Sequence, residues 1–81
     1  MDPNACLMQL LDAIEDRNWN QAEELANALL DWLNKSGFPP KTLGSVRLGT
    51  FWHRTVAQFI CQAAIARVRN ARKRMRRKRE A

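Results

Sequence analysis

The chain has no tyrosine and a single histidine, His53. Two cysteines, three glycines and three prolines are spread over its 81 residues. Each scarcity excludes a class of chemistry. A nucleophile needs its base within hydrogen-bond reach. His53 and Cys61 stand two turns apart on one expected helix, roughly 12 Å by helix rise, and Cys6 meets His53 only by accident of folding. The few glycines form no phosphate-cradling loop. Two cysteines and one histidine lack the paired spacing of a structural zinc site. The sequence therefore reads as a non-enzymatic protein with no metal, cofactor or small-molecule substrate.

Other absences bear on location. A secreted domain this small usually carries more cysteine. Cys6 and Cys61 are expected as reduced, small buried hydrophobes in the cytoplasm. No apolar run approaches the ~20 residues of a membrane span. Met1-Asp2-Pro3-Asn4 lacks the basic and apolar regions of a signal peptide.

What the chain does have is helical periodicity. Asp2 can cap a first helix over about Pro3–Asp16, with Pro3 at the position where a missing N–H costs nothing. Leu7, Leu10, Leu11 and Ile14 repeat at i, i+3, i+4, i+7. A second helix spans about Trp19–Lys35, capped by Asn18 or by Asn20 with Glu23 in a capping box. Its stripe is Ala22, Leu25, Ala26, Leu29 and Leu33. Gly37 is placed to take the left-handed end position, with Phe38 folding back on Leu33 and Pro39-Pro40 barring continuation. The turn between the two helices is short, so they must pack antiparallel. The pair superficially resembles one tetratricopeptide unit. Arrays of that family bury their faces through several copies, and this chain holds one at most, so a generic helical hairpin is the reading.

A third helix begins between Ser45 and Thr50 and meets no breaker before the end of the chain. Leu48, Trp52, Val56, Phe59, Ile60 and Ala63 line one side of it. Some thirty helical residues measure about 45 Å, near twice the hairpin helices, so the last four turns must project or find another surface. The expected fold is all-α: a helical hairpin packed on a long C-terminal third helix, a small three-helix bundle. Residues 1–66 form the three-helix body and 67–81 a basic helical extension. Leu10, Ile14, Leu25, Leu29, Leu33, Trp52, Val56 and Phe59 are the expected core.

Charge is divided along the same boundary. Residues 67–81 hold nine basic residues and one acid, for +8, and residues 1–66 hold five basic residues and seven acids, for −2, within an overall +6. The acids Asp12, Glu15, Asp16, Glu23, Glu24 and Asp31 read as solvated helix faces. Arg67, Arg69, Arg72, Lys73, Arg74, Arg76, Arg77, Lys78 and Arg79 place many cations on one narrow element. That arrangement suits a polyanion, because each neutralised phosphate releases counterions. Seven of the nine are arginine, whose planar fork matches phosphate oxygens. The segment has no aromatic residue for stacking on bases, and only Asn70 carries an amide that reads a base edge. The expected partner is thus the backbone of RNA or DNA, bound without strong sequence choice. Lys41, Arg47 and Arg54 are the fallback site.

The alternative is a protein–protein adaptor or homo-oligomer with no nucleic-acid role. Cys61, Ala64, Val68, Ala71 and Met75 follow a 3, 4, 3, 4 spacing into the basic segment. An interface between copies through Val56, Ile60, Ala64 and Val68 follows from it. The apolar side of the extension lacks Trp, Phe and Leu, which argues against a membrane surface.

Overall fold

A computed structural model of the chain describes residues 1–42 and 49–80, the side chains of 75–80 excepted. It contains helices α1 (Pro3–Glu15), α2 (Trp19–Asn34) and α3 (Gly49–Glu80), and no strand among the described residues. The expected small three-helix bundle is what forms, and α3 runs unbroken past Val56 and Val68. Its start at Gly49 falls inside the expected window; residues 43–48, with Gly44, Ser45, Arg47 and Leu48, lie outside the described residues.

Local chemistry sets the helix ends. The Asp2 carboxylate accepts from the backbone N–H groups of Asn4 at 3.1 Å and Ala5 at 3.3 Å, two of the donors a helix start leaves unpaired. At the other end of α1, Arg17 takes the left-handed conformation at φ 57. Its N–H donates to the Ile14 carbonyl and that of Asn18 to the Ala13 carbonyl, the paired bonds of a Schellman end. Asn18 then caps α2, accepting from the Gln21 N–H and donating to the Gln21 side chain. One residue thus closes one helix and opens the next. The capping box at Asn20 and Glu23 does not form, because both side chains turn to α3.

The end of α2 differs from expectation by one residue. Ser36, not Gly37, is left-handed, at φ 65. Gly37 stands one place further on, where its N–H reaches the Trp32 carbonyl at 2.9 Å. Glycine is required there because a Cβ would run into the Trp32 ring. The Trp32 Nε1–H donates to the Phe38 carbonyl at 2.8 Å. Trp32 holds the loop down, and the Phe38 side chain is exposed rather than folded on Leu33. Beyond it Pro40 is fully buried and the Lys41 N–H donates to the Asn4 side chain at 2.8 Å.

α2 is the central helix, packed along both α1 and α3, while α1 and α3 approach each other only slightly. Its start lies beside Arg67 and Arg72, and the Gly37 carbonyl beyond its end accepts from Arg54. α2 and α3 are therefore antiparallel. The core comprises Cys6, Leu7, Leu10 and Ala13 of α1, Ala22, Ala26, Leu29 and Leu33 of α2, and Ala57, Cys61, Ala64 and Val68 of α3. Ile14 and Leu25 pack against it half-buried.

Two expectations about α3 are corrected. Trp52 and Phe59 are 57% and 71% exposed and do not belong to the core, and Val56 is only half-buried. The buried stripe is instead His53, Ala57, Cys61, Ala64, Val68 and Ala71, about a third of a turn around the helix at 3.6 residues per turn. Small residues there let α2 come close, which the bulky stripe forbids. That stripe also runs two turns beyond Ala63, so the hairpin covers α3 as far as Arg72. Val68 and Ala71 are part of the covered stripe, so packing on the hairpin continues past residue 66, and Lys73 and Arg74 beyond Arg72 are exposed.

Burial has an electrostatic consequence. The Cys61 thiol is pushed from 9.0 up to about 11, first by burial and then by the neighbouring Cys6, whose own value burial also raises. A raised folded-state value favours the neutral thiol in the fold. Stability from Cys61 is complete below pH 9 and declines as pH rises toward 11. The melting temperature is expected to fall across that window, and Cys61→Ala to flatten the decline when melting is followed by circular dichroism. Leu29, fully buried, is expected to cost about 2–5 kcal/mol on replacement by alanine, read from denaturant midpoints. Truncation after Ala66 removes Val68, whose burial alone contributes about 1.5–3 kcal/mol, and is expected to destabilise or unfold the chain. Truncation after Arg72 is expected to melt close to the full-length protein.

Candidate nucleic-acid interface

The described basic side chains of α3 divide into two groups. Arg67 and Arg72 are anchored. The Arg67 guanidinium lies over the Trp19 ring, 5.2 Å from its centroid, a cation–π contact on the order of 0.5–1 kcal/mol at such a site. Arg72 Nη1 meets Glu23 Oε2 at 2.7 Å and its Nη2 donates to Asn20 Oδ1 at 2.8 Å. Both side chains of the Arg72–Glu23 pair remain partly exposed, so solvent screening limits it to about 1 kcal/mol or less. Its effect is positional: it pins the last covered turn of α3 to the start of α2.

Arg69, Lys73 and Arg74 are exposed. The side chains of Arg76, Arg77, Lys78 and Arg79, and of Met75 in the expected heptad stripe, lie outside the described residues, although the helix backbone continues to Glu80. Like charges stand four apart in the sequence at Arg69–Lys73, Arg72–Arg76, Lys73–Arg77 and Arg74–Lys78. Each such pair opposes the helix by roughly 0.2–0.5 kcal/mol. An anionic polymer along this segment removes that opposition.

The body adds residues that sequence reasoning missed. Arg17 and Asn18 of the turn and Trp19 and Asn20 at the start of α2 line a shallow pocket of about 300 Å³ together with Arg72. Arg17 is exposed and brings a further cation beside the α3 group. The signal for it was weak, because a lone arginine in a turn looks like a break between helices. Of the fallback site, Lys41 is exposed, Arg54 is half-buried and donates to the Gly37 carbonyl at 3.1 Å, and Arg47 lies outside the described residues. Arg54 lies at the opposite end of α2 from Arg72.

The expected interface of Val56, Ile60, Ala64 and Val68 is split by the fold. Ala64 and Val68 are buried within the chain, while Val56 and Ile60 stay half-exposed. Ala64 and Val68 are used inside the molecule, as part of its core.

His53 is buried, and its Nδ1 accepts from the Thr42 N–H at 3.1 Å. Among the described residues no group of three or more His, Cys, Asp or Glu stands close enough to hold a metal ion. No described helix is long and apolar enough to cross a membrane. No family model, curated protein sequence or solved structure matches the chain. The functional reading thus rests on the residues themselves.

Proposed function

We propose that the protein is a non-enzymatic binding module of the cytoplasm that engages the phosphate backbone of RNA or DNA through its C-terminal helix. The observation that carries this reading is the continuous α3, which Arg67 and Arg72 anchor and which carries exposed Lys73 and Arg74 into the cation-rich end of the sequence. Arginine and lysine on one extended element suit a linear polyanion, and affinity there comes from counterion release. Phosphate contacts fix position and carry no sequence information. Arg69, Lys73, Arg74, Arg76, Arg77, Lys78 and Arg79 do the binding in this reading, with Arg17 extending the surface onto the body.

Binding is measured by anisotropy of labelled duplex DNA and structured RNA at stepped salt. If about five phosphates are neutralised, the logarithmic slope on duplex DNA is expected near −4 to −5, from about −0.9 per phosphate. Truncation after Arg72 removes six of the nine cations and is expected to abolish binding without lowering the melting temperature appreciably. Replacing single arginines weakens all sequences alike. Absence of binding at low salt overturns the reading. Undiminished binding by the truncated chain moves the site to Arg17, Arg67 and Arg69.

A further inference from the structure

Because α2 is central and α1 meets α3 only slightly, a groove stays open between the outer helices. Its volume is about 360 Å³, and Leu11, Ile14, Phe59, Ile60, Ala63 and Ala64 line it together with Arg67. Apart from Arg67 the walls are apolar. Beside it Trp52, Val56, Phe59 and Ala63 recur along α3 at spacings of four, three and four, a seam periodicity. Exposures of 57% for Trp52, 71% for Phe59, 48% for Leu11 and 67% for Met8 are large for a monomer. An aromatic side chain carries roughly 150–250 Å², so these four side chains together expose on the order of 500 Å², within the roughly 300–600 Å² of a monomer's largest patch, which is often functional.

We propose that this groove seats a second copy of the chain, in a two-fold dimer with the two α3 helices antiparallel. Three observations select that occupant. The surface carries both a hollow and a ridge, the groove and the Phe59 ring beside it, and a two-fold axis pairs each with the other. Twice the patch is about 1,000 Å², the lower bound of a specific interface. The charge layout then sets the direction. Lys73 stands 14 residues beyond Phe59, roughly 21 Å by helix rise. An axis near Phe59 separates the two basic ends by roughly 40 Å, well past the ~8 Å screening length at physiological salt. A parallel pair sets them side by side. Arg67, held over Trp19, borders the groove, but the cations from Lys73 onward take no part in the contact, so the dimer and the nucleic-acid reading can each fail alone.

Sedimentation equilibrium of the full-length chain under reducing conditions, at low and high salt and up to submillimolar protein, tests it. A concentration-dependent monomer–dimer equilibrium that stops at two chains is expected. Phe59→Glu puts a carboxylate on the seam near its own symmetry mate. It is expected to weaken association by roughly tenfold or more, a change of about 1.4 kcal/mol or above. Its melting as a monomer should match the parent at dilution, since the side chain is exposed. Trp52→Lys is the second variant, with the same expectation. A strict monomer at every concentration and both salts overturns the proposal. So does dimerisation undiminished in both variants, which places the contact elsewhere, and so does association that grows beyond two chains.

Discussion

The packing of α2 along α3 runs on small side chains, and the remaining structure follows from that. Ala22 and Ala26 on one helix and Ala57, Cys61 and Ala64 on the other are all buried. Helix axes approach as closely as the side chains between them permit. A seam of alanines brings the axes together and keeps large rings out. Trp52 and Phe59 are therefore turned away from it, and their exposure follows from the packing. The central place of α2 also holds α1 and α3 apart, which opens the groove between them.

The same seam sets the direction of the basic segment. It continues through Val68 and Ala71, so five turns of α3 are fixed to the body. Glu23 and Asn20, at the start of α2, then grip Arg72. A capping box between those two residues and the hold on Arg72 draw on the same side chains. The structure uses them across helices and leaves the capping of α2 to Asn18.

Much of this was legible in the sequence, and the failures share one cause. The cap at Asp2, the turn at Arg17 and the unbroken third helix follow from local chemistry and appear as read, and of the two caps offered for α2 it is Asn18 that serves. So do Leu10, Leu29 and Leu33, because a leucine stripe on a short amphipathic helix has only one face to bury. On α3 two stripes competed. The one with Trp52, Val56 and Phe59 is more hydrophobic, and a rule weighted by side-chain size prefers it. The choice between stripes depends on how near the partner helix comes, which alanines on a different helix decide. The basic site was legible as charge but not as place. Nothing in the spacing of Arg72 reveals that Glu23, 49 residues earlier, holds it, or that Trp19 lies under Arg67.

Anchoring part of a cationic helix changes what it can select. An isolated anion meets the few guanidinium groups that converge near one point, and Arg72 there is already matched by Glu23. A linear polyanion meets cations strung from Arg67 to Arg79, roughly 18 Å of helix at 1.5 Å per residue. Double-stranded DNA presents one negative charge per ~1.7 Å of axis, so a segment of that length lies against several phosphates at once. Counterion release grows with each of them, while a single anion gains from one site only. A helix started by the body also begins past the costly nucleation step. Under the proposed reading a polymer spends little of its binding energy on ordering the first turns, and the like charges that oppose the helix are what attract the partner.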